Sequence, residues 1–246
     1  AAIVAVQKKI NEALGGNASV TDPSDMTGAI VNPAFDDGTA TGWKGTAPNM
    51  VGNGQHAAAN VAEQYDKTYD TYQELSNMPA GVYMLSNNGF LRGWWDDAVN
   101  HTNYTAFLYA IADGDTMQVA MANPWDIKNT EALGGATEFG TTASESTGDR
   151  DGGPYYAPND PSAARVYFEK GYYENKVFFA IAEGNVKLGV KKDVNRGTEW
   201  ATFDNFKLTF YGNAADAYQF WVKQTLKVDY SETVVSEQYL NVYNAA

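Results

Sequence analysis

The sequence predicts a mainly β protein whose core is a two-sheet antiparallel sandwich. Two segments, 186–191 and 200–211, alternate apolar and polar residues, so each is expected to have one buried and one solvent-exposed face. Other short apolar runs are separated by turns rich in Gly, Asn and Pro, which is typical of sandwiches. The expected strands are 29–35, 68–75, 81–91, 104–111, 117–122, 177–181, 186–191 and 200–211. The turn at 183–185 predicts a hairpin between its two neighbouring strands.

Helical spacing of apolar residues predicts three helices around these strands. The first spans residues 1–14 and is ended by Gly15 and Gly16. The second is capped by Asn159 or Asp160 and begins at Pro161, which suits a first helical position. The third begins near Asn213, and residues 229–246 are compatible with another. The predicted organisation is a helix and linker over 1–28, a sandwich over 29–212, and a helical segment over 213–246 that begins a further domain.

Composition excludes several classes of protein. The chain has 246 residues and no cysteine, so disulfide scaffolds, zinc–thiolate sites and cysteine nucleophiles are excluded. Its net charge of −13 repels phosphate backbones, so no nucleic-acid partner is expected. No apolar run approaches the ~18 residues of a membrane span. The first residue is Ala1 rather than Met, which indicates a piece of a longer protein with neighbouring domains.

Two motifs carry a resemblance to a known family. The stretch from Asn32 to Gly38, followed by Gly42 and Trp43, resembles the opening of galactose-binding-like jelly rolls, and 203–208 resembles their closing strand. Intervening segments are similar to sandwich modules of exported, multi-domain glycan-handling proteins of anaerobic gut bacteria. The resemblance, over about residues 19–212, implies a jelly-roll fold and an extracellular, cell-surface or periplasmic location. It further implies a carbohydrate-binding module with poly- or oligosaccharide ligands.

Aromatic residues make up 13% of the chain, and part of them are candidate sugar platforms. Rings stack against the C–H faces of sugars, while Arg, Asp and Asn side chains bind the hydroxyls. The candidate ligand-binding residues are Trp94, Trp95, Tyr155, Tyr156, Arg92 and Asp97, at a strand end and in the long segment 122–158. The alternative for these rings is burial at an edge of the core. Trp43 and Trp200 are expected to pack in the core or at its rim.

Acidic residues in both motifs are candidate ligands of a structural calcium ion. The resemblance implies that Asp36, after the first strand, and Asp204, in the last strand, hold the ion, followed by Asp37 and Asn205. Calcium prefers six to eight hard oxygen ligands, many of them backbone carbonyls. The alternative is that these side chains cap turns.

The sequence contains no pattern that singles out catalysis. Gly-x-Ser-x-Gly, a Walker loop and a dinucleotide fingerprint are all missing from the sequence, and no spacing marks a pair of catalytic carboxylates. The chain is therefore expected not to be an enzyme. Two functions remain: a non-catalytic carbohydrate-binding module, and a structural or protein-interaction spacer without a glycan ligand.

Overall fold

The computed structural model describes residues 2–51, 60–93, 105–140, 153–182 and 184–226. In chain order these ranges contain α1 (Ala2–Gly15), β1 (Ser24–Asp25), a 3₁₀ turn (Thr27–Ala29), β2 (Lys44–Gly45), β3 (Asn49–Val51), β4 (Val61–Tyr65), β5 (Tyr69–Met78), β6 (Gly81–Arg92), β7 (Ala106–Ala112), β8 (Asp115–Ala120), α2 (Pro124–Ile127), β9 (Ala136–Phe139), β10 (Tyr155–Pro158), α3 (Pro161–Glu169), β11 (Glu174–Ile181), β12 (Gly184–Lys192), β13 (Trp200–Phe210) and α4 (Ala215–Leu226). None of these helices is long and apolar enough to cross a membrane.

The strands of the described ranges form two large antiparallel sheets and a small one. The first sheet has the order β11-β6-β13-β4-β3, with β1 paired to the end of β13. The second sheet has the order β2-β5-β12-β7-β8, and β9 pairs with β10 in the small sheet. The two-sheet antiparallel sandwich predicted from the sequence is confirmed.

The core lies between the two large sheets and is built by the alternation seen in the sequence. From β13, Phe203 and Leu208 point into it, and Leu188 of β12 and Leu108 of β7 come from the opposite sheet. All four are fully buried. Because alternate residues of a strand face opposite sides, Trp200, Thr202 and Asp204 lie on the outer face of the first sheet.

Helix α3 covers that outer face. Of the two caps that the sequence allows, Asp160 is the one that forms: its Oδ1 atom accepts a hydrogen bond from the Ala163 amide at 2.8 Å. Tyr167 and Phe168 of α3 pack against Phe90 and Trp200 of the sheet in a second apolar cluster. The first sheet is thus buried on both faces along much of its length.

Two elements differ from the sequence prediction. The predicted strand 29–35 is wrong: the segment is a series of turns, and Asn32 and Phe35 have positive φ of 50° and 49°, outside the extended region of a regular strand. Pro33 between them lacks an N–H, although its carbonyl still accepts the Phe206 amide at 2.9 Å. The predicted hairpin at 183–185 is also wrong. Its two strands, β11 and β12, lie in different sheets, so the connection crosses the sandwich.

Candidate functional site

A pocket of about 250 Å³ opens at the end of the first sheet, where β4 and β6 end and β13 begins. Its walls continue into the start of α3 and the loop before β13. The lining residues whose side chains could contact a ligand are Glu63, Tyr65, Arg92, Asn159, Asp160 and Trp200. We call it the Arg92 pocket.

Strand register places three of these side chains in one row. Tyr65 of β4 and Arg92 of β6 are both antiparallel partners of Trp200 in β13. Directly paired residues share a face of the sheet, so the three side chains emerge together on the outer face. Glu63, two residues before Tyr65, lies on the same face.

Arg92 is half-buried and held by neutral groups. Its Nη1 atom donates to the Pro158 carbonyl at 2.7 Å and to Asn159 Oδ1 at 2.9 Å. The guanidinium carbon lies 5.0 Å from the ring centre of Trp200 and 5.7 Å from that of Trp125. Burial lowers the pKa of Arg92 to about 10, so the group remains a cation at neutral pH.

The two carboxylates of the Arg92 pocket are held in place by N–H donors. The indole Nε1 of Trp200 donates to Glu63 Oε1 at 2.7 Å. Asp160 receives the Ala163 amide at the start of α3. Both keep further lone pairs, which suit the hydroxyl groups of a sugar.

Tyr65 supplies the open aromatic surface of the pocket. It is 50% exposed, whereas Trp200 is only 5% exposed and forms the floor. The expectation that Trp200 packs at the rim of the core is confirmed. Trp43, stacked on Phe35 with 5.2 Å between ring centres, packs against the core as expected.

The candidate ligand residues from the sequence fall in three places. Arg92 is in the pocket. Tyr155 and Tyr156 are half-buried in β10, where Tyr155 packs on Phe139 with 5.5 Å between ring centres, beside the pocket rather than in its lining. Trp94, Trp95 and Asp97 lie outside the described residues, and Trp94 directly follows Gly93, which lines the Arg92 pocket.

Sequence reasoning missed the two residues that β4 contributes. Glu63 and Tyr65 were hidden because both faces of this strand are largely buried, so Val61, Ala62 and Gln64 show no clean alternation. The available signal for a strand was the pair Val61 and Tyr65, two residue types favoured in strands, followed by the turn at Asp66 and Lys67.

The acidic residues of the two motifs meet above the bulge of β13. Asp204 is fully buried; its Oδ1 accepts the Asn205 amide at 2.7 Å, and its Oδ2 has no hydrogen-bond donor among the described residues. Burial raises the pKa of Asp204 to about 8, although the nearby Arg165 opposes the shift. Arg165 of α3 forms an ion pair with Asp36 at 3.2 Å. Arg165 thus supplies positive charge beside Asp36 and Asp204.

This acidic cluster fits a cation in part. An orphaned, buried carboxylate oxygen such as Asp204 Oδ2 is suited to a metal ligand, and Asp36 is close enough to affect its pKa. Asp37, in contrast, closes a turn by accepting the Thr39 amide at 2.8 Å, and Asn205 donates to Asn88 Oδ1 at 3.2 Å. The described ranges contain no group of three or more His, Cys, Asp or Glu arranged for a metal.

A second surface with aromatic rings lies on the outer face of the second sheet. Tyr72 of β5 and Tyr109 of β7 are the partners of Gly189 on either side of β12. The Lys187 ammonium lies 3.8 Å from the Tyr72 ring centre and 2.7 Å from Asp70 Oδ2. Because a cation already covers the Tyr72 ring and Tyr109 is buried, this face offers less free ring surface than the Arg92 pocket.

No protein-family model matches the chain, and no curated protein matches it. Among solved structures, the chain is similar to the carbohydrate-binding module TmCBM61, solved in complex with β-1,4-galactotriose. That likeness has 12% identity and a TM-score of 0.36, and it covers 73% of this chain and 96% of the other. The chain is also similar to a cyclase from Fischerella sp. TAU, with 10% identity and a TM-score of 0.37, over 78% of this chain and all of the other. Scores this low carry no functional argument, which rests instead on the side chains.

Proposed function

We propose that the chain is a non-catalytic carbohydrate-binding module of an exported bacterial glycan-handling protein, and that its glycan binds in the Arg92 pocket. The observation that carries the proposal is the pairing of an exposed ring, Tyr65, with a cation, Arg92, across Trp200 in one open pocket. The glycan ring stacks on Tyr65, and its hydroxyls bind Glu63 and Asp160.

The chemistry of the pocket supports a sugar over an apolar ligand. Sugars combine a C–H face with many hydroxyls, and this pocket combines one exposed ring with oxygen acceptors and guanidinium donors. The polar groups are fixed by the protein: Glu63 by the Trp200 indole and Asp160 by the start of α3. Groups held in place before binding lose little conformational entropy when the ligand arrives.

We further propose that the protein acts by binding alone. Glu63 and Asp160 each accept a structural hydrogen bond, so each has a role in the fold that requires no catalysis. The test is incubation with the bound glycan, followed by measurement of new reducing ends. Products that disappear in Glu63→Gln would instead assign catalysis to the pocket.

We also propose an extracellular, cell-surface or periplasmic location and a structural calcium ion held by Asp204 and Asp36. The resemblance of the two terminal motifs supports both. The orphaned Oδ2 of Asp204 supports the ion independently. Calcium would add positive charge above the bulge of β13 and, together with Arg165, would favour the ionised form of Asp204.

A glycan screen followed by calorimetry tests the proposed site. Binding in the millimolar to micromolar range corresponds to roughly −4 to −8 kcal/mol. Tyr65→Ala should weaken binding by on the order of 1 kcal/mol or more, through loss of the stacked ring. The matched control, Tyr72→Ala, removes a ring from the second sheet and should leave binding unchanged. If only Tyr72→Ala weakens binding, the site is on the second sheet. If no glycan binds, the alternative stands, and the chain is a structural or protein-interaction spacer.

A further inference from the structure

The charge of Arg92 is not balanced by any carboxylate in the described part of the chain. Its partners there are a backbone carbonyl, a side-chain amide and two indole rings. Only Nη1 is engaged by oxygen atoms, so Nε and Nη2 have no acceptor among the described residues. Burying a cation is costly unless it is paired, so this arrangement favours an incoming anion.

The geometry of a guanidinium favours one kind of anion. Its planar N–H groups match the two oxygens of a carboxylate, and such charge-assisted pairs are about twice as strong as neutral hydrogen bonds. Trp200 and Trp125 flank the guanidinium and restrict its orientation. The edge that bears Nε and Nη2 is therefore pre-organised for a carboxylate.

The other walls of the pocket restrict where that carboxylate lies. Glu63 and Asp160 repel an anion but accept hydrogen bonds from hydroxyls. The pocket thus suits a ligand with one carboxylate and several hydroxyl groups on a single ring. A uronic acid residue of a glycan has this combination.

We propose that the Arg92 pocket selects a glycan containing uronic acid, whose carboxylate binds the edge of Arg92 that bears Nε and Nη2 while its ring stacks on Tyr65. This inference rests on the proposed carbohydrate-binding function and names its ligand class. The net charge of −13 disfavours long polyanions. At about 0.15 M salt, however, charges more than about 8 Å apart are largely screened. The electrostatic energy of a short uronate oligomer therefore depends mainly on the charges in the pocket itself.

The experiment is calorimetry of the intact chain with trimers of galacturonate, glucuronate and mannuronate. Each is compared with its methyl ester, which keeps the ring and hydroxyls but removes the charge. At least one acid should bind tenfold or more tightly than its ester. Arg92→Gln should abolish the difference and Arg92→Lys should reduce it. Lys187→Gln, which removes one positive charge from the second sheet, should leave it intact.

The possible outcomes separate this inference from the proposed function. Equal binding of acid and ester, or binding of neutral glycans alone, overturns the uronate inference and leaves carbohydrate binding intact. Inorganic phosphate that binds as tightly as the trimers shows a general anion site and overturns it as well. If no sugar of any kind binds, the proposed function fails and the inference fails with it. The ester comparison on the unmodified chain decides even if the Arg92 variants do not fold.

Discussion

The guanidinium of Arg92 lies 5.0 Å from the ring centre of Trp200, its direct partner across β6 and β13. Trp200 also donates its indole N–H to Glu63. One buried side chain therefore positions both a cation and an anion at the edge of a pocket. This arrangement follows from strand register alone, since Glu63, Trp200 and Arg92 share the outer face of the first sheet.

Replacement of Trp200 by Phe should destabilise the protein without unfolding it. The variant keeps most of the aromatic surface but leaves Glu63 without its indole donor, at a cost of about 1–3 kcal/mol. Urea unfolding followed by circular dichroism measures the loss. Trp43→Phe is the matched control: it also replaces an indole by a phenyl ring, but the hydrogen bond it removes is to the Asn32 carbonyl and not to Glu63. A Trp200→Phe variant as stable as the parent would show that the Glu63 contact is not maintained in solution.

The buried pair of Lys192 and Glu199 predicts a strongly non-additive pair of substitutions. Their Nζ and Oε2 atoms are 2.5 Å apart, and both side chains are 1% exposed. Lys192→Met alone should cost about 3–5 kcal/mol, because it leaves a buried carboxylate without its cation. Lys192→Met combined with Glu199→Leu should recover a large part of that loss. If the double variant loses as much stability as the sum of the two single variants, Lys192 and Glu199 do not interact as a buried ion pair.

The contribution of Asp204 to the free energy of unfolding should fall as pH rises. Its folded pKa, about 8, lies above the unfolded value of about 3.9, so the folded state holds the proton more tightly between these values. The stabilisation is complete below about pH 4 and is lost as pH rises through about 8, with a slope of at most about 1.4 kcal/mol per pH unit. Urea unfolding in chelator between pH 5 and 8 measures the slope, which Asp204→Asn should flatten. Equal slopes in the two proteins would assign the pH dependence to other groups.

Added calcium should raise the melting temperature, and chelator should reverse the effect. A ligand bound only by the folded state stabilises it by mass action. The increase should be larger at pH 8 than at pH 5, since the metal competes with the proton on Asp204. Asp204→Asn should abolish it, while Asp115→Asn, an exposed acid in the β7–β8 hairpin, should retain it. No calcium response at either pH counts against the site.

Local patterns in the sequence were sufficient for most of the fold. The alternation in β12 and β13 and the start of α3 at Pro161 were predicted correctly because each depends on neighbouring residues. The hairpin at 183–185 was misread because strand pairing depends on which sheet each strand joins. That choice is made by long-range packing and leaves no local signature.

The candidate site was predictable only in part. Arg92 was identified from its position at a strand end beside aromatic residues. Tyr65 and Glu63 were not, because β4 lacks an alternating pattern and reaches Arg92 only through β13. The site is assembled from three strands that are far apart in the sequence. Predicting it requires the strand register, which cannot be read from the sequence alone.

The resonance of the Trp200 indole N–H tests the central claim most directly. This proton lies in the floor of the Arg92 pocket and is hydrogen-bonded to Glu63. It is assigned in a ¹⁵N–¹H spectrum as the indole signal lost in Trp200→Phe, and the protein is then titrated with a glycan that binds. The account predicts a saturable shift of this signal with the same dissociation constant that calorimetry gives. A glycan that saturates the protein while the Trp200 signal stays fixed would contradict the assignment of the site.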